Sequence, residues 1–388
     1  MHEGQSSIDW LRSTRWKPPG AAARTAARKR TYQTALQQSE ESFWAARQVS
    51  ATTQPILAFY GLSQAGRAIA AAASNATKDE WKLEGHGIRA VDLAGDLRGV
   101  ALRTDAAGSR GSFVRLSSLL DSPVWGQTAV PFEALWDSLP ENAAPSQALH
   151  DDHRSRRCPL EIATYNHDEP HSMAVGLVTG LPNWLPAEPD IKAAFEAYLG
   201  TYPGTAGYHS YLVDNVFESD ESGFARPTGA QVPSLRVDSD GRLYAQMNWE
   251  MPTSGHAPQA ERDAYLRGRG SQHAADYFFY PEISAVGAAI HPLMCWWAVL
   301  YALSMLARYE PATWTKHLNL NESRYAYPVE RLLDEALGRL PALIVEAIEQ
   351  VSQSSAHGPA DLPSADKEHE GSSPSATPED MNGMQARA

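Results

Sequence analysis

The 388-residue chain is 43% hydrophobic, enough for one large core or two smaller ones, so a wholly disordered protein is excluded. Its net charge of −13 makes the body a poor general host for nucleic acid, whose non-specific binding rests on neutralising phosphates. Cys158 and Cys295 are the only cysteines, so a disulfide framework is unexpected, a four-thiolate zinc site is excluded, and a reducing, cytoplasmic setting is expected.

Residues 1–30 hold seven Lys/Arg against Glu3 and Asp9 and contain Pro18-Pro19-Gly20, which reads as a flexible basic arm. Arg28-Lys29-Arg30 could touch phosphates there, although a solvated arm is the commoner meaning. No charged-then-apolar leader is present, so export is not expected. Residues 31–351 are expected to form a single globular domain, helical over 31–86, β-containing over 87–250 and helical again over 260–351.

Within it, Tyr32, Leu36, Phe43 and Ala46 share a helical face, and a second helix follows Thr53 with Pro55 in its first turn and Phe59, Leu62, Gly66 and Ile69 inward. From Gly87 the period shortens, and Ile88–Leu93, Gly99–Leu102 and Phe113–Leu116 read as strands of a small antiparallel sheet. Pro189-Asp190 opens a helix that points Ile191, Phe195 and Leu199 inward and ends at Gly200. The alternation of Leu235 and Val237, then Leu243, Ala245, Met247 and Trp249, around Asp238-Ser239-Asp240-Gly241 is a hairpin.

A polar helix is expected around Arg262–Ala275. The uncharged run Ile283–Ala307 is long enough to raise the question of a membrane span, but His291-Pro292 restarts the chain inside it, which favours a buried core helix from His291 to Tyr309. Pro328–Val351 is amphipathic, with Pro341 expected to kink or divide it. The tail 352–388, with six acids against Lys367 and Arg387 and no aromatic residue, reads as disordered. The fold class is therefore α+β and predominantly helical, with N- and C-terminal helices packed around a small antiparallel β-containing middle.

Three groups of segments together, Gln54-Pro55-Ile56-Leu57-Ala58-Phe59-Tyr60-Gly61-Leu62, His86-Gly87-Ile88, and His291-Pro292-Leu293 with Ala302 through Pro311 and Trp314, resemble the YaaC-like family of bacterial proteins. The similarity runs in order from about Tyr32 to Ile348, with Gln64 and Gly66-Arg67 departing from the family's commoner wording after the tyrosine. It implies no reaction, cofactor or catalytic residue.

Chemistry must then come from the residues themselves. Arg308 can close the preceding helix through its carbonyls and dipole while Pro311 stops propagation; alternatively Arg308 binds an anion on which Tyr309 or Trp314 stacks, beside Glu310. His86 between two glycines either bonds a turn or is presented to a cleft, and Tyr60 lies on the second helix. The leading expectation is a binding or regulatory protein that uses Tyr60, His86, Arg308, Tyr309, Glu310 and Trp314 to hold a protein partner or a small anionic ligand. Eleven tryptophans supply ample rigid surface for that.

The runner-up is a metal-independent endoribonuclease. Arg267 and His273 have the Arg-x5-His spacing of HEPN-type ribonucleases, in which arginine would hold the scissile phosphate and histidine would move a proton. Gly268 and Gly270 weaken a helix there, and the acidic body repels RNA. A third reading places a divalent metal on His150, His153, His167 and His171, in two acid-rich clusters that match no known His-Glu-x-x-His helix and that neighbour Arg154, Arg156 and Arg157. No phosphate-binding loop, dinucleotide fingerprint or nucleophile elbow is present. No cofactor and no membrane contact are expected, RNA is a partner only under the runner-up, and a homo-oligomer stays open.

Overall fold

A computed structural model describes residues 2–149, 151–165, 172–210, 212–214, 218–219, 225–226, 231–252 and 257–353. The acidic tail beyond residue 353 lies outside them, as do His150, His167 and His171.

Residues read as a flexible arm instead form α1 (His2–Trp16), which packs on the next long helix, Ala26–Ala46, and on the last one, Ala326–Gln353. Thr25 caps α2 (Ala26–Ala46) by accepting from the Arg28 amide. Arg28 is buried rather than waiting for phosphate: its guanidinium donates to the carbonyls of Ala73 and Ala76 and lies 5.4 Å from the Trp81 ring. Ala73 is the C-cap of α3 (Gln54–Ala72) and Ala76 lies in the chain beyond it, so the arginine satisfies carbonyls at and after the helix end. Composition concealed this because a buried capping arginine and a solvated one read alike.

Two short strands, β1 (Ile88–Val91) and β2 (Ala101–Thr104), pair antiparallel, and β3 (Val130–Pro131) adds to β2. The third expected strand, Phe113–Leu116, is in fact helical, inside α4 (Ser112–Leu119). Phe113, Leu116, Ser117 and Leu120 are all buried, at the three- and four-residue spacing of a helix that a four-residue window cannot reveal. A short α5 (Phe132–Asp137) follows.

The main sheet contains β4 (Leu160–Thr164), β5 (Met173–Leu181) and β6 (His209–Ser210), with α6 (Ile191–Leu199) between the last two. Short ribbons pair β7 (Leu212–Asp214) with β10 (Gln231–Pro233) and β8 (Glu218–Ser219) with β9 (Ala225–Arg226). The hairpin is present as β11 (Leu235–Val237) and β12 (Leu243–Glu250), in the register Leu235 to Ala245 and Val237 to Leu243. Helix α7 (Gln259–Arg269) is shorter than expected, because Gly270 ends it and the chain turns into β13 (Ser271–His273) and β14 (Asp276–Phe279). The antiparallel order is β11-β12-β5-β4-β14-β13, with β6 also on β12.

The uncharged run divides as well. Ile283 ends β15 (Glu282–Ile283), which pairs with β16 (Ala288–Ala289), and only Pro292 begins α8 (Pro292–Tyr309). His291 caps it, its Nδ1 accepting from the Leu293 amide at 3.2 Å. Every residue from Pro292 to Leu306 is buried, which accounts for an apolar surface all round. Among the described residues no helix is long and apolar enough to cross a membrane. After α9 (Pro311–His317), α10 (Ala326–Gln353) runs 28 residues without interruption, with Pro341 buried inside it.

Two apolar cores result. One surrounds α8 and takes in α2, α3, α4, α5 and α10; the other lies against the main sheet and centres on Phe195, Trp249, Leu266 and Phe279. Residues between these cores position the most deeply buried polar network described below.

Candidate functional site

The loop carrying His86 is fixed by its two neighbours. Gly85 and Gly87 have φ of +61° and +71°, in the left-handed region that disfavours any Cβ. A Cβ on Gly87 would also lie 2.8 Å from the Gly111 Cα. The loop is then pinned on three sides: the Ser112 hydroxyl donates to the Gly85 carbonyl at 2.6 Å, the Phe113 amide to the His86 carbonyl at 2.9 Å, and the Asp105 amide to the Gly87 carbonyl at 3.0 Å.

Held this way, the imidazole of His86 meets the ring of Phe59 on α3 at 6.0 Å and that of Tyr301 on α8 at 5.5 Å. Phe59 also packs on Tyr301 at 5.3 Å, so the three rings form one cluster where α3, α8 and the loop converge. Partial burial lowers the pKa of His86, and the positive charge of Arg308 lowers it further. Burial pushes the Tyr301 phenol up, helped by Tyr309 and opposed by Arg308 and Arg89.

Arg308 occupies the last turn of α8, where a cation is favoured by the helix carbonyls. Its guanidinium lies 5.1 Å from the Tyr309 ring and donates to the Tyr309 hydroxyl at 3.3 Å. Among the described residues it forms no ion pair. Arg89, by contrast, sits 3.9 Å from Asp105. The structure thus brings His86, Arg308 and Tyr309 around Tyr301, which sequence reasoning did not single out. Its signal was present, since Phe59 and Tyr301 lie on two apolar helices that had to meet.

The other expected members divide. Tyr60 is 57% exposed on α3, next to Phe59, and no ring contact joins it to His86 among the described residues. Trp314 is fully buried and donates its indole N–H to the Thr52 carbonyl at 3.0 Å, so it belongs to the core and cannot stack on a ligand. Glu310 is the joint between α8 and α9: its amide donates to Leu306 and its carbonyl accepts from the Trp314 amide at 2.8 Å.

Arg267 and His273 are not brought together. The Arg267 guanidinium lies 5.5 Å from the Tyr277 ring, and Tyr277 stands opposite Gln272 in the β13–β14 ribbon. His273 contacts Phe278, one strand position on, and therefore projects from the opposite face. It is 3% exposed, and both ring nitrogens are engaged, Nδ1 with the Tyr280 hydroxyl at 2.7 Å and Nε2 with Glu141 Oε1 at 2.6 Å. Glu141 and Tyr280 were missed because Glu141 lies 132 residues from its partner and nothing local announces the pairing.

The metal reading has little to stand on within the described residues. His153 is exposed, its three companions fall outside the described set, and no group of three metal-capable side chains occurs among the described residues. Nearby arginines are otherwise engaged: Arg156 is buried against Asp137 at 3.0 Å, and Arg324 binds Asp151 at 2.9 Å.

A family model described as YaaC-like Protein matches residues 4–348. No curated protein and no solved structure matches the chain.

Proposed function

The chain belongs to the YaaC-like family, and we propose that it is a binding protein that holds an anionic group on the face formed by His86, Tyr301, Arg308 and Tyr309. The observation that carries this reading is Arg308, a guanidinium at an aromatic cluster that forms no ion pair among the described residues. A guanidinium presents a planar fork of donors suited to carboxylate or phosphate, and its contact with Tyr309 keeps that fork oriented.

His86 supplies the second contact. With its pKa lowered it is neutral near pH 7 and offers one donor and one acceptor, while Tyr301 backs the ring. An anion placed between Arg308 and His86 would offset the charge that disfavours the imidazolium. Binding is then coupled to proton uptake, so affinity falls as pH rises through the bound-state pKa of His86.

Calorimetric titration with inorganic phosphate and with AMP tests the reading. Saturable binding of either, weakened at least about tenfold by Arg308→Ala, supports it, a loss of the size expected for a charge-assisted hydrogen bond. Equal binding by the variant, or none by either protein, overturns it.

Tyr60 and Tyr309, 57% and 61% exposed, favour a second form of the same reading in which a protein partner carries the anionic group. The ribonuclease alternative draws no support from Arg267 and His273, which face apart. A cytoplasmic location accompanies the proposal, supported by Cys158 and Cys295 both being free thiols.

A further inference from the structure

Tyr301 carries a hydroxyl that nothing in the protein uses. The residue is only 5% exposed, its ring held between Phe59 and His86. Among the described residues the hydroxyl makes no hydrogen bond, yet it is not one of the unpartnered polar atoms sealed away from solvent. A buried tyrosine normally finds a partner for its O–H, so a hydroxyl left open at the surface is placed for a group that arrives from outside.

Two guanidinium groups reach that hydroxyl from different elements. Arg308 ends α8, and Arg89 stands on β1, the strand on which α8 packs. Along β1 the chain alternates buried Ile88 with exposed Arg89, so the arginine lies on the solvent side. Burial and then Tyr309 push the Tyr301 phenol up, and Arg308 and Arg89 both pull against them, which places both cations within electrostatic range of it.

Arg89 has a further reason to want an anion. Its register partner across β1 and β2 is Arg103, which is also exposed, and like charges directly opposite one another destabilise a ribbon. Asp105 answers this pair only in part, at 3.9 Å from Arg89, and Arg103 forms no ion pair among the described residues. The other contact of Arg89 is a long hydrogen bond, 3.4 Å, to the Gln127 side chain.

Charge then selects among anions. A carboxylate or a phosphodiester brings one negative charge and leaves one of the two guanidinium groups unanswered. The phosphate of a monoester brings a charge of about −1.5 to −2 and three terminal oxygens.

We propose that the His86 face is specific for the dianionic phosphate of a monoester, with Arg308 and Arg89 gripping two terminal oxygens and the Tyr301 hydroxyl donating to the third. This rests on the anion-binding reading above and narrows its ligand. Nucleotides and sugar phosphates share the group.

Calorimetry of the full chain at about pH 8, where monoesters are dianions, tests it with methyl phosphate, dimethyl phosphate and acetate. Methyl phosphate should bind at least about tenfold more tightly than the other two, the size of one charge-assisted hydrogen bond. Tyr301→Phe keeps the ring and should melt with the wild type, yet weaken methyl phosphate about tenfold and leave dimethyl phosphate unchanged. Arg89→Gln, at an exposed position, should bring the two phosphates to similar affinity. AMP tighter than both methyl phosphate and glucose 6-phosphate identifies a nucleotide as the source; equal binding of the three identifies the phosphate alone. Equal binding of methyl and dimethyl phosphate by the wild type, or a preference that neither variant alters, overturns the proposal and leaves the anion site standing. No binding of any of these anions overturns both.

Discussion

His86 and His273 show how one side chain is given opposite tasks. His86 rests on Phe59 and Tyr301, is exposed, and has a cationic neighbour in Arg308. His273 is buried and bonded at both nitrogens by Tyr280 and Glu141. The first ring is positioned but uncommitted, so its protonation can follow a ligand. The second is committed on both sides, so disturbing it disturbs the fold.

The sharpest break between the two comes from deletion. His273→Ala strands the Glu141 carboxylate and the Tyr280 hydroxyl in the interior and is expected to cost about 3–5 kcal/mol, read from urea unfolding. His86→Ala should cost less than about 1 kcal/mol in the same experiment while weakening anion binding. Similar losses in the two variants would erase the distinction.

A comparable contrast holds between two aromatics that the sequence placed in one motif. Trp314→Ala empties a fully buried site and should cost about 3–5 kcal/mol, whereas Tyr309→Ala, at an exposed position, should stay within about 0.5 kcal/mol. Thermal unfolding separates them.

The helix starts, the hairpin and the buried nature of α8 were legible because each has a local cause. Thr53-Gln54-Pro55, Asp190 and His291-Pro292 mark helix entries, and Asp238 through Gly241 marks the turn. Phe113–Leu116 misread as a strand because four residues cannot distinguish the two periods. Arg28, Trp314 and Glu141 misled or escaped notice for another reason: their roles are set by partners 45, 262 and 132 residues away. Half of the candidate site was therefore visible, the Gly85-His86-Gly87 loop and the end of α8, while Phe59 and Tyr301, which join them, required the packing of two helices.

His291 supplies a smaller test. Burial lowers its pKa to about 4, so the folded form disfavours the imidazolium that the unfolded chain accepts near 6.5. Stability contributed by the neutral ring is full above about pH 6.5 and is lost as pH falls toward 4, with a slope of at most about 1.4 kcal/mol per pH unit. His291→Asn keeps an N-cap acceptor and should flatten that slope in acid-range unfolding curves. An unchanged slope would assign the pH dependence to other groups.

The most direct measurement is an NMR titration of the His86 imidazole against pH, with and without saturating phosphate, in the wild type and in Arg308→Ala. The account predicts that phosphate raises the His86 pKa in the wild type, and that Arg308→Ala raises it without phosphate and leaves little further response. A His86 pKa indifferent to both phosphate and Arg308 would contradict an anion held between them.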